Sequence, residues 1–218
     1  MQEKLIEKTA DYVKIKLGQE PTGHDWHHVE RVLKMAKLLQ IEEGGNLEII
    51  QLAALLHDLG DYDNPEDFDE GKGSLVLNGM MDILEIEEPM KRKIIQIINE
   101  SQYHGNDTEP ASTIEGRIIQ DAAGLDALGA IGIARTFATG GFIKRMLHDP
   151  HRRVRRKLTK QMYKNHKKEG TSLNSFYEKA LKLPKFMNTE TARRIAERRA
   201  DFIQHFIDEF LQEWEGEK

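Results

Sequence analysis

The chain has 218 residues, of which 39% are hydrophobic and 32% are charged, and it contains no cysteine. This balance excludes a disordered chain, and the lack of cysteine excludes both a disulfide framework and a thiolate metal site. The net charge of -5 argues against a general polyanion binder. Neither a signal peptide nor a stretch long enough to cross a bilayer is visible, so we expect a cytoplasmic protein without a membrane partner.

Apolar residues recur at helical spacing along almost the whole chain, and no run alternates with period two for long enough to predict a strand. The six prolines fall between helical segments or at a first turn, where proline is tolerated. With short connections and no linker, we expect an all-α fold of about eight or nine helices in one domain, residues 1–218. The predicted helices span 2–17, 25–42, 47–59, 73–84, 89–103, 113–136, 154–168, 172–182 and 189–214.

Two polar segments complete this outline of the chain. Residues 61–72 are acidic and rich in turn formers, which predicts an exposed loop. Ser112, Thr113, Ile114 and Glu115 have the Ser-x-x-Glu form of a capping box, which predicts the start of the sixth helix.

A basic stretch runs from Lys144 to Lys168, with eleven lysines and arginines against a single acid, Asp149. The favoured interpretation is a solvated helical face. The second is a basic rim that attracts a phosphate-bearing substrate. Nucleic acid is the least favoured partner, because Tyr163 is the only aromatic residue in the stretch and no known nucleic-acid module is present.

The helix predicted over 47–59 is apolar nearly all round, which is typical of a helix buried in the core. Its last turn carries His57 and Asp58, followed by Gly60 as a C-terminal stop. A carboxylate there faces the negative end of the helix dipole, so we expect a cation or a firm donor beside Asp58. The chain has three His-Asp pairs, and for an isolated pair a core histidine is the better interpretation.

Two more polar side chains interrupt apolar stripes of predicted helices. His28 lies on the inward stripe of the second helix, which Asp25 caps, and Asp121 interrupts four aliphatic residues on the sixth. Together with the pair at 57–58, three separate helices thus each place a metal-type ligand on an apolar face. Such imidazole and carboxylate ligands suit Mn²⁺, Fe²⁺, Co²⁺, Ni²⁺ or Zn²⁺ better than Mg²⁺. His24 is expected near the surface, without a role in the site.

The pattern His28…His57-Asp58…Asp resembles the HD superfamily of metal-dependent phosphohydrolases. The likeness spans nearly the whole chain and points to a bacterial branch that includes nucleoside triphosphate pyrophosphohydrolases. The resemblance implies an α-helical HD-type fold, a divalent metal and hydrolysis of a phosphoester or phosphoanhydride. The matching runs are GHDWHHVERV (23–32), LAALLHDLGD (52–61), EGRIIQDA (115–122), LDALGAIGIARTFATGG (125–141), FYEKALKL (176–183) and MNTETARRIAERR (187–199).

One departure from the branch concerns the fourth metal ligand. The branch reads Asp-Ala-Asp-Arg-Leu-Asp where residues 121–126 read Asp-Ala-Ala-Gly-Leu-Asp, so the ligand expected from the resemblance would fall on Ala123. Either Asp121 or Asp126 completes the site, or the site is weakened. The apolar stripe favours Asp121, because Asp126 shares a face with Glu115 that we expect to be partly polar. The missing arginine at position 124 also removes a possible phosphate contact.

The expected chemistry is attack by a water whose pKa the metal lowers. Asp58 is the predicted metal ligand at the reacting centre, and Asp61 is the predicted proton acceptor, with Asp25 as its alternative.

The leading reaction converts a nucleoside triphosphate to the monophosphate and pyrophosphate; the alternative is a metal-poor nucleotide-binding sensor without catalysis. A homo-oligomer is compatible with the sequence. The candidate phosphate-binding residues are Arg31, His104, Arg117 and Arg145.

Overall fold

The structure is a computed structural model that describes residues 2–18, 23–59, 70–165 and 169–217. These residues form ten α-helices, two 3₁₀ helices and no strand, so the predicted all-α fold is confirmed with a slightly higher helix number. None of the helices in the described ranges has the length and apolar character needed to span a membrane. The α-helices are α1 Gln2–Leu17, α2 Trp26–Glu43, α3 Leu47–Leu56, α4 Glu70–Ile83, α5 Glu88–Ser101, α6 Ile114–Asp126, α7 Gly129–Phe142, α8 Lys160–Asn165, α9 Ser172–Glu178 and α10 Glu190–Glu215, and the 3₁₀ helices are Gly105–Asp107 and Ala180–Phe186.

The described residues pack as two compact units. The first is drawn from 1–103 and 109–122, and the second from 104–108 and 123–218. The boundary falls inside α6, between Ala122 and Ala123. The single domain inferred from the sequence therefore stays a prediction.

In the first unit, α3 is the central helix and packs against α1, α2 and α5. All its residues from Ile49 to Leu56 are buried except Gln51, which confirms the predicted core helix. The helix ends at Leu56, however, and not at residue 59: His57 caps it and Asp58 lies in the turn that follows. Helices end where their last carbonyls find partners outside the helix, and the His57 ring provides one here.

In the second unit, α10 packs against α7 and against the 3₁₀ helix Ala180–Phe186. An aromatic cluster fills the space beside α10, with Phe206 in edge-on contact with both Phe137 and Phe176. Small residues line the inner face of α10, where Ala192, Ala196 and Ala200 are all buried, so neighbouring backbones can approach closely.

The predicted helix 113–136 is wrong in one respect, because it is interrupted between α6 and α7. Gly129 opens α7 with a φ of +67°, a conformation that residues with a β-carbon rarely adopt. Farther along, a β-carbon at Gly132 would lie 2.3 Å from the Ala127 carbonyl oxygen. The apolar periodicity continues on both sides of the break, and for that reason the pattern did not reveal it.

The predicted helix 154–168 is also wrong over its first part, because α8 covers only Lys160–Asn165. Backbone amides before α8 are bound by side chains: Arg155 N donates to Glu178 Oε1 and Leu158 N donates to Asn106 Oδ1. Side-chain acceptors of this kind compete with the helical ladder for backbone donors.

The predicted helix 172–182 is likewise divided, since α9 ends at Glu178 and the chain continues as the 3₁₀ helix Ala180–Phe186, which contains Pro184.

The capping box predicted at the start of α6 does not form. Gly116 N donates to Thr113 Oγ1 at 3.1 Å, so Thr113 takes the place of Ser112 as the capping side chain. The Ser112 hydroxyl instead donates to Glu100 Oε2 at 2.7 Å. Glu115 accepts from a backbone amide of another segment, at the start of α3.

Candidate metal centre

The position of His28 is set by the start of α2. The Asp25 carboxylate accepts a hydrogen bond from His28 N at 2.9 Å, which confirms Asp25 as the N-cap. From this start the helix turns His28 inward together with Val29 and Val32, and the histidine is only 2% exposed. The predicted inward orientation of His28 is therefore confirmed.

The protonation of His57 follows from its partner at the end of α3. His57 Nδ1 lies 2.8 Å from the Ala54 carbonyl oxygen, which only accepts hydrogen bonds. Nδ1 therefore carries the proton and Nε2 keeps a lone pair. Burial lowers the pKa of His57 although the nearby Asp58 carboxylate opposes the shift. A neutral imidazole with a bare nitrogen is the form in which histidine binds metals.

Two further donor groups, from His28 and Asp58, converge next to this bare nitrogen. His28 Nε2 lies 3.2 Å from His57 Nε2 and 3.1 Å from Asp58 Oδ2. His57 Nε2 lies 3.3 Å from Asp58 Oδ1. Two imidazole nitrogens on buried rings thus face both oxygens of one carboxylate. This donor set fits a first-row divalent transition metal and suits Mg²⁺ less well.

Asp58 is ionised in this setting. Burial by itself would raise the pKa of the Asp58 carboxyl, but the adjacent rings of His57, His24 and His28 hold it well below its usual value. A polar partner beside Asp58 was predicted, and imidazole nitrogens of His24 and His28 lie 2.9 and 3.1 Å from its Oδ2. Both protonation states, a neutral His57 and an anionic Asp58, are those that a metal site needs.

His24 is the residue that sequence reasoning missed. Its side chain is 53% exposed, yet His24 Nδ1 lies 2.9 Å from Asp58 Oδ2. His24, His28 and Asp58 each offer a ligand atom within 4.8 Å of the others. His24 lies near the surface, as expected, but its contact with Asp58 was not predicted. The four-residue spacing from His24 to His28 is a signal in the sequence, although His24 precedes the helix.

Asp121 and Asp126 were the alternatives for a fourth ligand, and both are buried. Asp121 is 1% exposed on α6, as its apolar stripe predicted. Asp126 is 5% exposed, on the helical face that the sequence assigned to it together with the half-buried Glu115. Asp126 already has a cation as its partner, because Arg135 Nη1 on α7 lies 2.9 Å from its Oδ2. A guanidinium therefore already neutralises the Asp126 carboxylate.

The predicted proton acceptor Asp61 lies outside the described residues. Its alternative, Asp25, is engaged as the cap of α2. Arg31 is half-buried on α2 in the first unit.

The other three candidate phosphate-binding residues have local partners. Arg117 is exposed, and its Nε donates to the Ala111 carbonyl at 2.9 Å. His104 and Arg145 are half-buried parts of the second unit. Arg145 Nη1 lies 2.9 Å from Ser175 Oγ, and His104 caps a 3₁₀ helix. Substrate binding by these residues and by Arg31 stays a prediction.

Comparisons with known proteins identify the family of the chain. The HD domain family matches residues 25–128, a range that contains His28, His57, Asp58 and Asp121. The curated protein YpgQ of Bacillus subtilis is 32% identical over 219 residues, which cover 98% of this chain and 95% of YpgQ. A crystal structure of YpgQ in complex with ADP superposes with a TM-score of 0.70 at 28% identity, covering 95% of this chain and 96% of that one.

Two further solved structures resemble the chain over 99% of both lengths. A Lactobacillus plantarum protein gives a TM-score of 0.87 at 32% identity. An HD-superfamily hydrolase from Bacillus thuringiensis gives a TM-score of 0.73 at 40% identity. The paired imidazoles, the adjacent aspartate and these full-length relatives lead to one conclusion: the chain belongs to the HD superfamily.

Proposed function

We propose that the protein is a divalent-metal-dependent phosphohydrolase that acts on nucleotides. The observation that carries this proposal is the convergence of His28 Nε2, His57 Nε2 and the Asp58 carboxylate within 3.3 Å of one another. These residues would hold the metal. When bound, such a metal lowers the pKa of water and polarises a phosphoryl oxygen. The B. thuringiensis relative, described as an HD-superfamily hydrolase, supports the reaction type.

Asp121 is our proposed fourth ligand. It is almost fully buried and belongs to the same unit as the three other groups. Asp126 is a poorer choice because Arg135 already binds its carboxylate. A second carboxylate would also balance the charge of a divalent cation, which Asp58 alone does not.

The protein groups prepare the reaction in distinct ways. The Ala54 carbonyl fixes the tautomer and the orientation of His57, as is usual for metal-binding histidines. Asp61 is our proposed acceptor for the proton of the attacking water. Arg31, His104, Arg117 and Arg145 are the proposed phosphate-binding cations, the last of them held in place by Ser175.

A nucleotide is the proposed substrate because the relative YpgQ was crystallised with ADP. We take hydrolysis of a nucleoside triphosphate to the monophosphate and pyrophosphate as the leading case, since the matching sequence runs resemble that branch. In this reaction water breaks the anhydride bond between the α- and β-phosphates, so one molecule of pyrophosphate leaves per turnover.

The test is a nucleotide panel assayed with Mn²⁺-loaded protein, with pyrophosphate and phosphate measured separately. The proposal predicts pyrophosphate release from one or more nucleoside triphosphates and its loss in His57→Ala. His27→Ala is the matched control, because His27 is 71% exposed and contacts only Glu30 among the described residues. A metal-loaded preparation that cleaves neither nucleotides nor generic phosphoesters would exclude the enzyme.

The second candidate is a metal-poor nucleotide-binding sensor. The observation that favours it is Ala123, which has no ligand atom at the position where the branch carries aspartate. Next to it, a β-carbon at Gly124 would lie 2.9 Å from Met187 Cε, so Met187 occupies the space where the branch has an arginine. Nucleotide binding without turnover and without retained metal would support this candidate.

A further inference from the structure

The basic loop, which we define as residues 149–158, has no helix or strand of its own but is firmly held. Buried Glu178 accepts from the backbone amide of Arg155 at 2.9 Å and from its guanidinium at 2.6 and 3.0 Å. At the end of the loop, Leu158 N donates to Asn106 Oδ1 and Asn106 N donates to the Leu158 carbonyl, both at 2.7 Å. Contacts with Glu178 and Asn106 therefore hold the basic loop in place, although it contains no regular secondary structure.

Two carbonyls of the basic loop are bound as well. Asn174 Nδ2 donates to the Arg152 carbonyl at 3.0 Å, and Lys182 Nζ donates to the Arg156 carbonyl at 2.9 Å. Asn174 lies on α9 and Lys182 on the 3₁₀ helix that follows it. The backbone of the basic loop therefore runs beside these two helices.

The basic loop presents cations that have no acidic partner. Arg153, Arg156 and Lys157 are exposed, and none of their side chains contacts a carboxylate of the described residues. The acids of this region are already engaged: Glu178 binds Arg155, and Asp149 lies 3.8 Å from Arg152. The free positive charge is therefore retained at the surface in a protein whose net charge is -5.

A second row of cations lies on the adjacent 3₁₀ helix. Side chains three residues apart eclipse one another in a 3₁₀ helix, so Lys182 and Lys185 point in the same direction. Lys185 is exposed. Lys182 lies next to the basic loop, because its Nζ donates to the Arg156 carbonyl. We define the basic surface as Arg153, Arg156, Lys157, Lys182 and Lys185.

We propose that the basic surface binds the sugar-phosphate backbone of a nucleic acid strand without sequence preference. Two neighbouring rows of cations suit a linear polyanion better than a compact one, and guanidinium groups pair well with phosphate oxygens. The contacts with Glu178, Asn106 and Asn174 order the loop in advance, so binding does not incur that entropic cost.

The composition of the basic surface selects this partner over an anionic membrane. Val154 is the only large apolar side chain exposed on the basic loop, at 39%, whereas interfacial membrane binding needs several apolar side chains that can insert. The loop also contains no Phe, Tyr or Trp on which bases could stack, which is why we expect no sequence preference. The sequence alone disfavoured nucleic acid because Tyr163 is the only aromatic residue between Lys144 and Lys168 and no known nucleic-acid module is present.

The experiment titrates metal-stripped, full-length protein into a fluorescently labelled single-stranded oligothymidylate at several salt concentrations. We expect salt-dependent binding, and we expect R153Q/R156Q/K157Q to weaken it at least about tenfold at low salt. Three lost phosphate contacts should also reduce the log–log salt slope by about 2. The control K14Q/K37Q/K93Q removes the same charge from exposed lysines of the first unit and should leave binding unchanged.

Three results would overturn the proposal. They are absence of binding by the parent protein, equal weakening by both triple variants, and binding to phosphatidylserine vesicles but not to the oligonucleotide. Circular dichroism checks the fold of each variant, and the exposed positions make unfolding an unexpected outcome. Because the assay contains neither metal nor substrate, its result is independent of the proposed hydrolase activity.

Discussion

Two largely buried aspartates in this protein have different kinds of partner. The Asp126 side chain is 6% exposed and is paired with the Arg135 guanidinium at 2.9 Å. The Asp58 side chain is 14% exposed and is surrounded by imidazole nitrogens of His24, His28 and His57. One carboxylate thus has a permanent cation as its neighbour, whereas the contacts of the other within the described residues are with imidazole rings.

The difference shows which of the two sites is prepared for an ion. A guanidinium stays charged at any physiological pH, so the Asp126 carboxylate has a permanent counter-charge. Burial lowers the pKa of His57, and its Nε2 carries a lone pair, so this ring adds little positive charge at neutral pH. Asp58 therefore keeps a negative charge that a metal cation can balance, and the same cation would accept the lone pairs of the rings.

The largest expected effect on stability follows from breaking the Asp126–Arg135 pair. Arg135→Ala removes the guanidinium that lies 2.9 Å from the buried Asp126 carboxylate, which should cost about 3 kcal/mol in the free energy of unfolding measured with urea. Arg194→Ala, which removes an exposed arginine of α10, is the control and should stay within about 0.5 kcal/mol of the parent. If the two variants lost equal stability, the pair would not be the structural element we describe.

Removing a ligand from the cluster of His28, His57 and Asp58 should change metal binding far more than stability. His57→Ala removes a neutral ligand, so its apparent metal affinity should fall at least about a hundredfold while the metal-free protein still folds. Titration with Mn²⁺ or Zn²⁺ against a competing chelator measures the affinity. His27→Ala should match the parent, and retained affinity in His57→Ala would rule out the proposed ligand set.

The two buried aspartates of α6 give a matched pair of variants. Asp121→Asn should release the metal and leave the fold intact, because asparagine keeps the shape and loses the charge. Asp126→Asn should retain the metal and lose stability, because it removes the negative charge that Arg135 Nη1 contacts at 2.9 Å. Metal content and urea unfolding of both proteins decide the matter, and the reverse pattern would show that Asp126 is the ligand.

Position 123 tests whether this site is a weakened form of the usual one. Ala123→Asp restores the carboxylate that the branch carries. If Asp121 already completes the site, hydrolysis of nucleoside triphosphates should change by less than about threefold, which a steady-state pyrophosphate assay resolves. A large gain in activity would instead mean that Asp121 is an incomplete substitute.

The smallest expected effect concerns His24. His24→Ala removes the contact at 2.9 Å with Asp58 Oδ2 but none of the buried ligands, so metal affinity should fall about tenfold. His24→Gln keeps a hydrogen-bond donor and should recover part of the loss. Unchanged metal affinity in His24→Ala would mean that His24 takes no part in metal binding.

The inward residues were predictable because each interrupts a regular stripe. His28 and Asp121 stand among aliphatic residues at helical spacing, and burial to 2% and 1% confirms both. The family pattern then connected them with His57 and Asp58. Local periodicity carried this information, since a helix turns its side chains at fixed angles whatever lies around it.

The features that were missed depend on contacts between distant segments. The basic loop is held by Asn106 and Glu178, residues 52 and 23 positions away from their partners. The Asp126–Arg135 pair depends on the interruption of the helix before Gly129. The apolar periodicity continues across this interruption, so the sequence pattern does not reveal it. Such hydrogen bonds and ion pairs leave no periodic trace in the sequence.

The measurement that tests the central claim most directly is the metal content of the parent protein. After reconstitution with a first-row transition metal and desalting, elemental analysis should find about one ion per chain, because Asp58 and the two buried histidines form a ready ligand set. Asp58→Asn treated identically should carry almost none. Substoichiometric metal in the parent after reconstitution, or equal metal in both proteins, would contradict the account.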